Sequence, residues 1–357
     1  MMLVMTFTML SATAQETTSE IQGTILAGKK GLAGATITAI HTPTGTVYKT
    51  TSREDGRYNL PNLKIGGPYV VSVSYVGFKP KSEDEISLNL GQAFKQNFTM
   101  VEDAKTLKDV VVSANKLQTT SKTGSQQIIS RRLIEQFPTV TRSWKDVVKL
   151  NPANAGGAFG GISSQLNNIT LDGANFNNSF GLAADIGGQT GQQAVSLDAI
   201  EQIQVNVSPF DVKYGGFNGA GINSVTRSGK NQSFGSVYQY YKSKDLQGYK
   251  VGSVELPKQD FNYDLKGFTV GGAIKKNKLF YFINGEQESR EVPGTLFQAS
   301  DATHSPNGLT YSNANADTLT KLASFLKSKY GYDPGAFQGY TYQSQSKRLT
   351  AKIDWNI

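Results

Sequence analysis

Cysteine is absent from this 357-residue sequence, and histidine occurs only twice, as His41 and His304. Without cysteine we expect no disulfides, no metal bound through thiolates and no lipoprotein anchor at the amino terminus. Two histidines in different parts of the chain do not supply a zinc site of two histidines and a carboxylate, nor a distinctive base for a Ser-His-Asp triad. We therefore predict no catalytic residues, no metal site and no cofactor.

Long hydrophobic runs and long basic runs are also missing. No segment reaches the ~18 apolar residues of a membrane-spanning helix. The net charge of +8 comes from lysines and arginines scattered singly or in pairs, which argues against nucleic acid as a partner. The short apolar stretch MMLVMTFTMLSATAQ ends in an A-x-A site, so we predict a signal peptide over residues 1–14, cut before Gln15.

Glycine and aromatic residues are abundant, and they favour a mainly β fold with tight turns. There are 37 glycines, 16 tyrosines and 18 phenylalanines. Between residues 19 and 101, short β-prone runs recur between turn signals, which predicts an antiparallel sandwich of seven strands. In YVVSVSYV the side chains alternate, so either the set with Val71 and Val73 or the set with Val70 and Ser72 forms the core face.

The sequence pattern of residues 107–230 predicts a second unit, which is of the α+β class. SRRLIEQFPTVTRSWKDVVKLNP has apolar residues at helical spacing, which predicts two short helices, broken at Pro138 and ended by Pro152. NNITLDGANFNN predicts a strand followed by a turn at Asp172-Gly173. IEQIQVNVS predicts a strand with valine and isoleucine on one side and the amides of Gln202, Gln204 and Asn206 on the other.

From residue 232 onward the sequence predicts the first strands of a transmembrane β-barrel. RLTAKIDWNI, residues 348–357, alternates between apolar and polar residues, which suits a sandwich or a lipid-facing barrel equally. GFTVGGAI and LFYFINGE are joined only by residues 275–278, whereas more than about fifty residues separate the second run from Arg348. Such asymmetry is typical of outer-membrane barrels, with residues 275–278 in the periplasm and residues 290–343 outside. A helix capped by Asp317 is expected in the long loop.

The first unit resembles the carboxypeptidase-regulatory-like domain. The matching residues are Gly34-Ala35, Asp55-Gly56-Arg57-Tyr58 and the segment SYVGF at residues 74–78. The resemblance implies an Ig-like or transthyretin-like β-sandwich and, despite the family's name, no peptidase activity.

The second unit resembles the plug domain of TonB-dependent outer-membrane receptors, and among these the Oar-like subgroup. The residues that carry the match are Asp172, Gly173, Pro209, Tyr214, Gly215, Gly221, Asn223 and Thr226. The resemblance implies an outer-membrane protein with a periplasmic amino-terminal domain. It also implies energy-coupled uptake of an unidentified substrate.

The same resemblance suggests how energy reaches the receptor. Leu107–Val112 lies where the family has its TonB box, so Asp109, Val110, Val111 and Val112 are the candidate contacts of a TonB-type protein. The alternative is that this segment is a final sandwich strand or a first plug strand.

Size and competing functions complete the prediction. Plugged outer-membrane transporters have about 22 strands, so the chain is expected to be the amino-terminal portion of a larger receptor embedded in outer-membrane lipid. One alternative is a non-transporting surface or adhesion protein with the same barrel as its anchor. Another is a secreted carbohydrate- or peptide-binding module, which has no use for lipid-facing strands.

Overall fold

A computed structural model describes residues 17–103, 124–178, 192–209, 214–255, 258, 260–295, 297–308 and 310–356. The fold is mainly β, as predicted. Two compact units are present. The first contains the described residues up to Gly235, Thr269–Asn284 and those from Thr350 onward, and the second contains Ser236–Phe268 and Gly285–Leu349.

The first part of the chain is a sandwich of two sheets. Its strands are β1 (Ser19–Ala27), β2 (Lys30–Gly31), β3 (Thr36–His41), β4 (Thr46–Thr51), β5 (Arg57–Leu63), β6 (Gly66–Ser74), β7 (Lys81–Leu88), β8 (Ala93–Lys95) and β9 (Phe98–Met100). One sheet has the order β2-β1-β5, and β8 and β9 both pair with β1 in parallel. The other sheet has the antiparallel order β4-β3-β6-β7.

The core of the sandwich follows from the alternation of side chains along each strand. In β6 the side chains of Tyr69, Val71 and Val73 are fully buried, and Val70 and Ser72 are only partly covered. Burying one such aliphatic side chain stabilises a fold by about 1.5–3 kcal/mol. The alternation in this strand was predicted correctly, and the structure shows which set faces the core.

Three strands of the sandwich differ from the prediction: β8 and β9 pair with β1 in parallel and not antiparallel, and β2 was not predicted. The run KQNFTM is split into β8 and β9, and Asn97 in the gap accepts a hydrogen bond from the Thr24 amide at 2.9 Å. The two-residue strand β2 is too short to produce a period in the sequence. It pairs with the end of β1.

The next part, which we call the mixed-sheet module (residues 124–178, 192–209 and 214–227), has a five-stranded sheet. The strands are β10 (Gly124–Ser130), β11 (Asn154–Ala155), β12 (Ala158–Phe159), β13 (Asn168–Leu171), β14 (Ala174–Asn175), β15 (Ile200–Pro209) and β16 (Gly221–Thr226). The order of the main sheet is β10-β15-β16-β13-β14. Only the β13–β16 pair of this sheet is parallel, and β11 and β12 form a separate hairpin.

Two helices pack on this sheet; both were predicted, but the second ends at Val148 and does not extend to Pro152. Helix α1 (Arg131–Gln136) has Phe137, directly before Pro138, as its C-cap. Helix α2 (Trp144–Val148) begins after Ser143, whose side chain accepts from the Lys145 amide. Buried residues of both helices, of five strands and of two connecting segments form one core, which consists of Ile129, Ile134, Val147, Val148, Phe159, Ile169, Leu197, Ile200, Ile203, Val205, Ala220 and Ile222.

The remaining strands form longer ribbons. They are β17 (Phe234–Ser243), β18 (Lys250–Val251), β19 (Val254–Glu255), β20 (Asn262–Lys275), β21 (Leu279–Pro293), β22 (Gln298–Ser300), β23 (Tyr311–Asn315) and β24 (Thr341–Trp355). The four long ones make a sheet in the order β17-β20-β21-β24. In β24 the apolar side chains are the exposed ones: Leu349, Ile353 and Trp355 are each more than 70% exposed.

Helix α3 (Ala316–Tyr330) lies between β23 and β24. The predicted cap was wrong, because Asn315 and not Asp317 is the N-cap. Asn315 has extended backbone angles and accepts from the Thr318 amide at 3.1 Å. Asp317 is already in the first turn, where its charge is favourable next to the helix dipole.

Among the described residues, no helix has both the length and the apolar character needed to cross a membrane.

Candidate functional site

The predicted coupling segment, residues 107–112 with Asp109, Val110, Val111 and Val112, lies outside the described residues. The other predicted site residues fall in the mixed-sheet module, within its strands or in the turns between them.

Asp172 and Thr226 are brought together at one end of the sheet. Asp172 follows β13 with a positive φ of 49°, and Gly173 continues the turn with a φ of 82°. The Asp172 carboxylate accepts from the backbone amide of Thr226 at 2.9 Å and from its hydroxyl at 2.5 Å. The Lys352 ammonium of β24 donates to the same hydroxyl at 3.2 Å and lies 3.7 Å from Asp172 Oδ1. These residues therefore fasten the module to a long strand.

Asn223 and Gly221 lie inside the sheet. The Thr170 hydroxyl donates to Asn223 Oδ1 at 2.9 Å, and both side chains are buried. Gly221 faces the Phe217 ring so closely that an added Cβ would be 2.7 Å from it. Close approach therefore explains the glycine at 221. Gly215 has open space around it and no positive φ, so neither reason applies there.

Pro209 and Tyr214 flank the described end of β15. Pro209 is the last residue of this strand and pairs with Gly124 of β10. The Tyr214 hydroxyl accepts from Gln204 Nε2 at 3.1 Å. Tyr214 thus helps to hold a glutamine that lies on the strand itself.

The polar face of β15 is buried, which the sequence did not reveal. Gln202, Gln204 and Asn206 are at most 4% exposed. Gln202 Oε1 accepts from the Leu90 amide at 2.6 Å, and Gln204 Nε2 donates to the Leu90 carbonyl at 3.2 Å. Alternation alone indicates a solvent-facing amide row. The residues that cover it lie more than a hundred positions earlier in the chain, as the sequence separations of these bonds show.

A charged cluster holds the start of β15 against α1. Asp198 lies between Arg142, at 2.5 Å, and Arg131, at 3.3 Å. Arg131 also donates to the carbonyls of Leu197 and Ile200 at 3.2 Å. The two guanidiniums thus fix the chain that enters β15.

Asp146 fixes the segment before α2. Its carboxylate accepts from the amide and the hydroxyl of Thr141, at 2.7 and 2.9 Å. Burial alone raises the pKa of Asp146, but the hydrogen bonds from Thr141 and Lys149 outweigh it, so the pKa is lowered.

A cavity of about 420 Å³ lies in the first unit, between the sandwich, the mixed-sheet module and β24. Its wall carries His41, Lys64, Glu201, Lys352 and Asp354. Burial lowers the pKa of His41 to about 4, and the positive charges of Lys64 and Lys230 add to the effect. His41 is therefore neutral at neutral pH, and its Nδ1 lies 2.7 Å from the Thr44 hydroxyl.

The second unit has a buried charge cluster of its own. Arg348 Nη2 lies 2.7 Å from Glu286 Oε1 and also bonds to Glu288. The Tyr238 hydroxyl donates to Glu286 at 2.9 Å. Because Leu349, the next residue, is 74% exposed, β24 keeps its polar side covered and its apolar side open.

Comparison with known proteins finds similarity in several parts of the chain. Residues 20–101 match the carboxypeptidase regulatory-like domain, and residues 225–342 match an outer membrane beta barrel domain. A TonB-dependent transporter, Oar of Myxococcus xanthus, is 26% identical over 285 residues. The chain is related to TonB-dependent receptors. It is accordingly an outer-membrane protein.

The match to this TonB-dependent transporter covers 74% of the chain and 26% of the relative, so the chain spans about a quarter of that protein's length. Among solved structures, the siderophore receptor PirA of Acinetobacter baumannii is 22% identical with a TM-score of 0.36, covering 46% of this chain and 24% of the receptor. PirA of Pseudomonas aeruginosa is 17% identical with a TM-score of 0.33, covering 47% and 29%.

The TonB-dependent relatives are named for transport or reception. Within the described part of the chain, no group of three or more histidine, cysteine, aspartate or glutamate side chains is arranged to hold a metal ion.

Proposed function

We propose that this chain is the amino-terminal part of an energy-coupled outer-membrane transport receptor for an unidentified substrate. In this proposal residues 19–101 are a periplasmic sandwich, residues 107–230 are the plug and the barrel begins at residue 232. A TonB-type protein binds Asp109, Val110, Val111 and Val112. No covalent chemistry takes place in this chain.

The contact of Lys352 with the mixed-sheet module carries the proposal. Lys352 lies on the polar side of β24 and bonds to Thr226 and Asp172. On the other side of the same strand, Ile353 and Trp355 are each 71% exposed. A strand with one side open to lipid and the other side on a folded module is what a plugged barrel requires.

Val110, Val111 and Val112 suit the proposed contact with the energy-transducing protein. They are β-branched and prefer an extended backbone, so they can add as a strand to a sheet edge of that partner through main-chain hydrogen bonds. Force applied to this segment reaches the mixed-sheet module through the chain itself, since β10 begins at Gly124.

The test is Val111→Pro in the complete receptor, with Gln118→Pro in the same linker as the control. Proline removes the main-chain donor and fixes φ, so docking at residue 111 is lost. We expect Val111→Pro alone to abolish photo-crosslinking from residue 110 to the TonB-type protein. It should also abolish protonophore-sensitive depletion of a component of defined medium, at an unchanged amount of receptor in the membrane. Retained depletion, or loss of folded receptor, contradicts the docking assignment. A receptor that never depletes the medium is the adhesion or surface protein of the alternative.

A further inference from the structure

The sandwich and the mixed-sheet module meet at Asn89–Gln92, between β7 and β8, which we call the clasp loop. Leu90 is fully buried, and both of its backbone polar groups bond to glutamine side chains of β15. Asn89 Oδ1 accepts from Gln202 at 3.2 Å, and Gln92 Nε2 donates to Gln126 Oε1 of β10 at 2.9 Å. All four bonds connect two parts of the chain that have separate cores.

Gly91 makes this approach possible. Its φ is 61°, a value that residues with a side chain rarely adopt. A Cβ added here would lie 2.2 Å from the Tyr214 hydroxyl. The Gly91 amide donates back to the Thr18 carbonyl at 3.0 Å. The clasp loop is thus fixed to the sandwich on one side and fits closely against the module on the other.

The chemistry of the contact suits an interface that opens. Among the described residues, its buried apolar cluster consists of Ile65, Leu90 and Val225, and the amide hydrogen bonds above accompany it. Amides that separate in water find new partners there, whereas a large apolar interface stays closed.

The position of the clasp loop in the chain gives the contact a role. Residues 104–123 connect the sandwich to β10, and β10 pairs along β15, the strand whose amides hold the clasp. Tension on residues 107–112 therefore acts on both sides of the same contact.

We propose that the clasp loop locks the mixed-sheet module in its resting position, and that the lock has to open before the module can move. The proposal rests on the proposed function, because it takes residues 107–112 as the point where force is applied. The sandwich is then a restraint on transport as well as a covalent extension of the receptor.

The first test is a reversible bridge across the contact in the complete receptor. The natural chain has no cysteine, so Gln92→Cys and Gln126→Cys can be joined selectively by a short bifunctional methanethiosulfonate reagent. The matched control joins Glu20→Cys and Asn59→Cys inside the sandwich, whose side chains are 3.3 Å apart. We expect the first bridge to slow the energy-dependent depletion of a component of defined medium at least tenfold. A reductant, which cleaves the bridge, should restore the depletion. The control bridge should have no effect. Depletion that continues with the first bridge in place overturns the lock, and failure of that bridge to form overturns the docking.

The second test observes opening without any substrate. Val225→Cys places a thiol in the small cluster under the clasp loop, where Val225 is 6% exposed. A maleimide admitted to the periplasm should label it in energised cells, and at least fivefold less after a protonophore. Adding Gly91→Val should make labelling independent of energy, whereas Gly77→Val, at a φ of 81° with nothing within 4 Å of its Cβ, should not. Labelling that is equal in every case overturns the proposal. If the unbridged receptor shows no energy-dependent depletion, the proposed transport function is wrong. The proposal that the lock must open for transport is then wrong as well. The Gly91→Val comparison still decides the docking.

Discussion

The carboxylate of Asp172 accepts two hydrogen bonds from Thr226, and Lys352 is its only ion-pair partner among the described residues. We predict that Asp172→Asn weakens this corner, while the backbone stays as it is because asparagine also tolerates a positive φ. Hydrogen bonds to charged groups contribute about 1.5–3 kcal/mol, so exchange of the Thr226 amide should become about 10- to 100-fold faster. Mass-spectrometric hydrogen exchange measures this. Asp55→Asn, at an exposed turn, is the control. Unchanged exchange at Thr226 would contradict the assignment.

His41 gives the sandwich a pH dependence of defined sign. Its pKa is lowered to about 4 by burial, then by Lys64 and Lys230, whereas unfolded histidine titrates near about 6.5. Between these values the unfolded chain binds more protons, so stability falls as the pH falls from about 6.5 to about 4. The loss is on the order of 3 kcal/mol.

We expect His41→Gln to flatten this slope, because it removes the titrating group. Pulse proteolysis of the sandwich in urea, within the whole chain and over this pH range, measures the slope. His304→Gln on the long loop is the control. Parallel slopes for the natural chain and His41→Gln would show that the buried imidazole is not the cause.

The two sides of β24 differ in exposure, which predicts which side faces the membrane lipid. Ile353 is 71% exposed and Thr350, on the other side of the strand, is partly buried. A lysine facing lipid near the bilayer centre costs about 2–4 kcal/mol, so Ile353→Lys should reduce the heat-modifiable, membrane-inserted fraction of the complete receptor. Thr350→Lys should reduce it less, because that side chain faces inward. Equal losses from both variants would contradict the assignment of the Ile353 side of β24 to lipid and of the Thr350 side to the interior.

Elements with a repeating pattern were predictable, and contacts between distant segments were not. The alternation in RLTAKIDWNI gave the two faces of β24, and apolar spacing gave α1 and α2. The same kind of alternation did not identify the partners of the glutamines of β15. These partners lie in the clasp loop, which only the tertiary fold brings to the strand. Local rules also placed the cap of α3 two residues late, because both Asn315 and Asp317 suit a helix start.

For the whole receptor, the first unit shows which end of the long strands is near the sandwich. The turn between β20 and β21 contains Asn277, whose Oδ1 accepts from Asn231 Nδ2 at 2.6 Å. The Asn231 amide in turn donates to the Pro43 carbonyl of the sandwich at 2.8 Å. A sandwich in the periplasm therefore requires this turn to be on the periplasmic side, in agreement with the loop lengths.

We predict that Lys276→Cys and Val76→Cys face the periplasm and that Ala302→Cys faces outward. All three side chains are exposed, so access depends on the membrane and not on burial. A maleimide that does not cross the outer membrane should label only Ala302→Cys in intact cells, and all three after the outer membrane is permeabilised. The natural chain, which has no thiol, is the blank. Labelling of Lys276→Cys in intact cells would reverse the orientation of the barrel. Labelling of Val76→Cys in intact cells would show that the sandwich, and with it the proposed site of energy coupling, lies outside the cell.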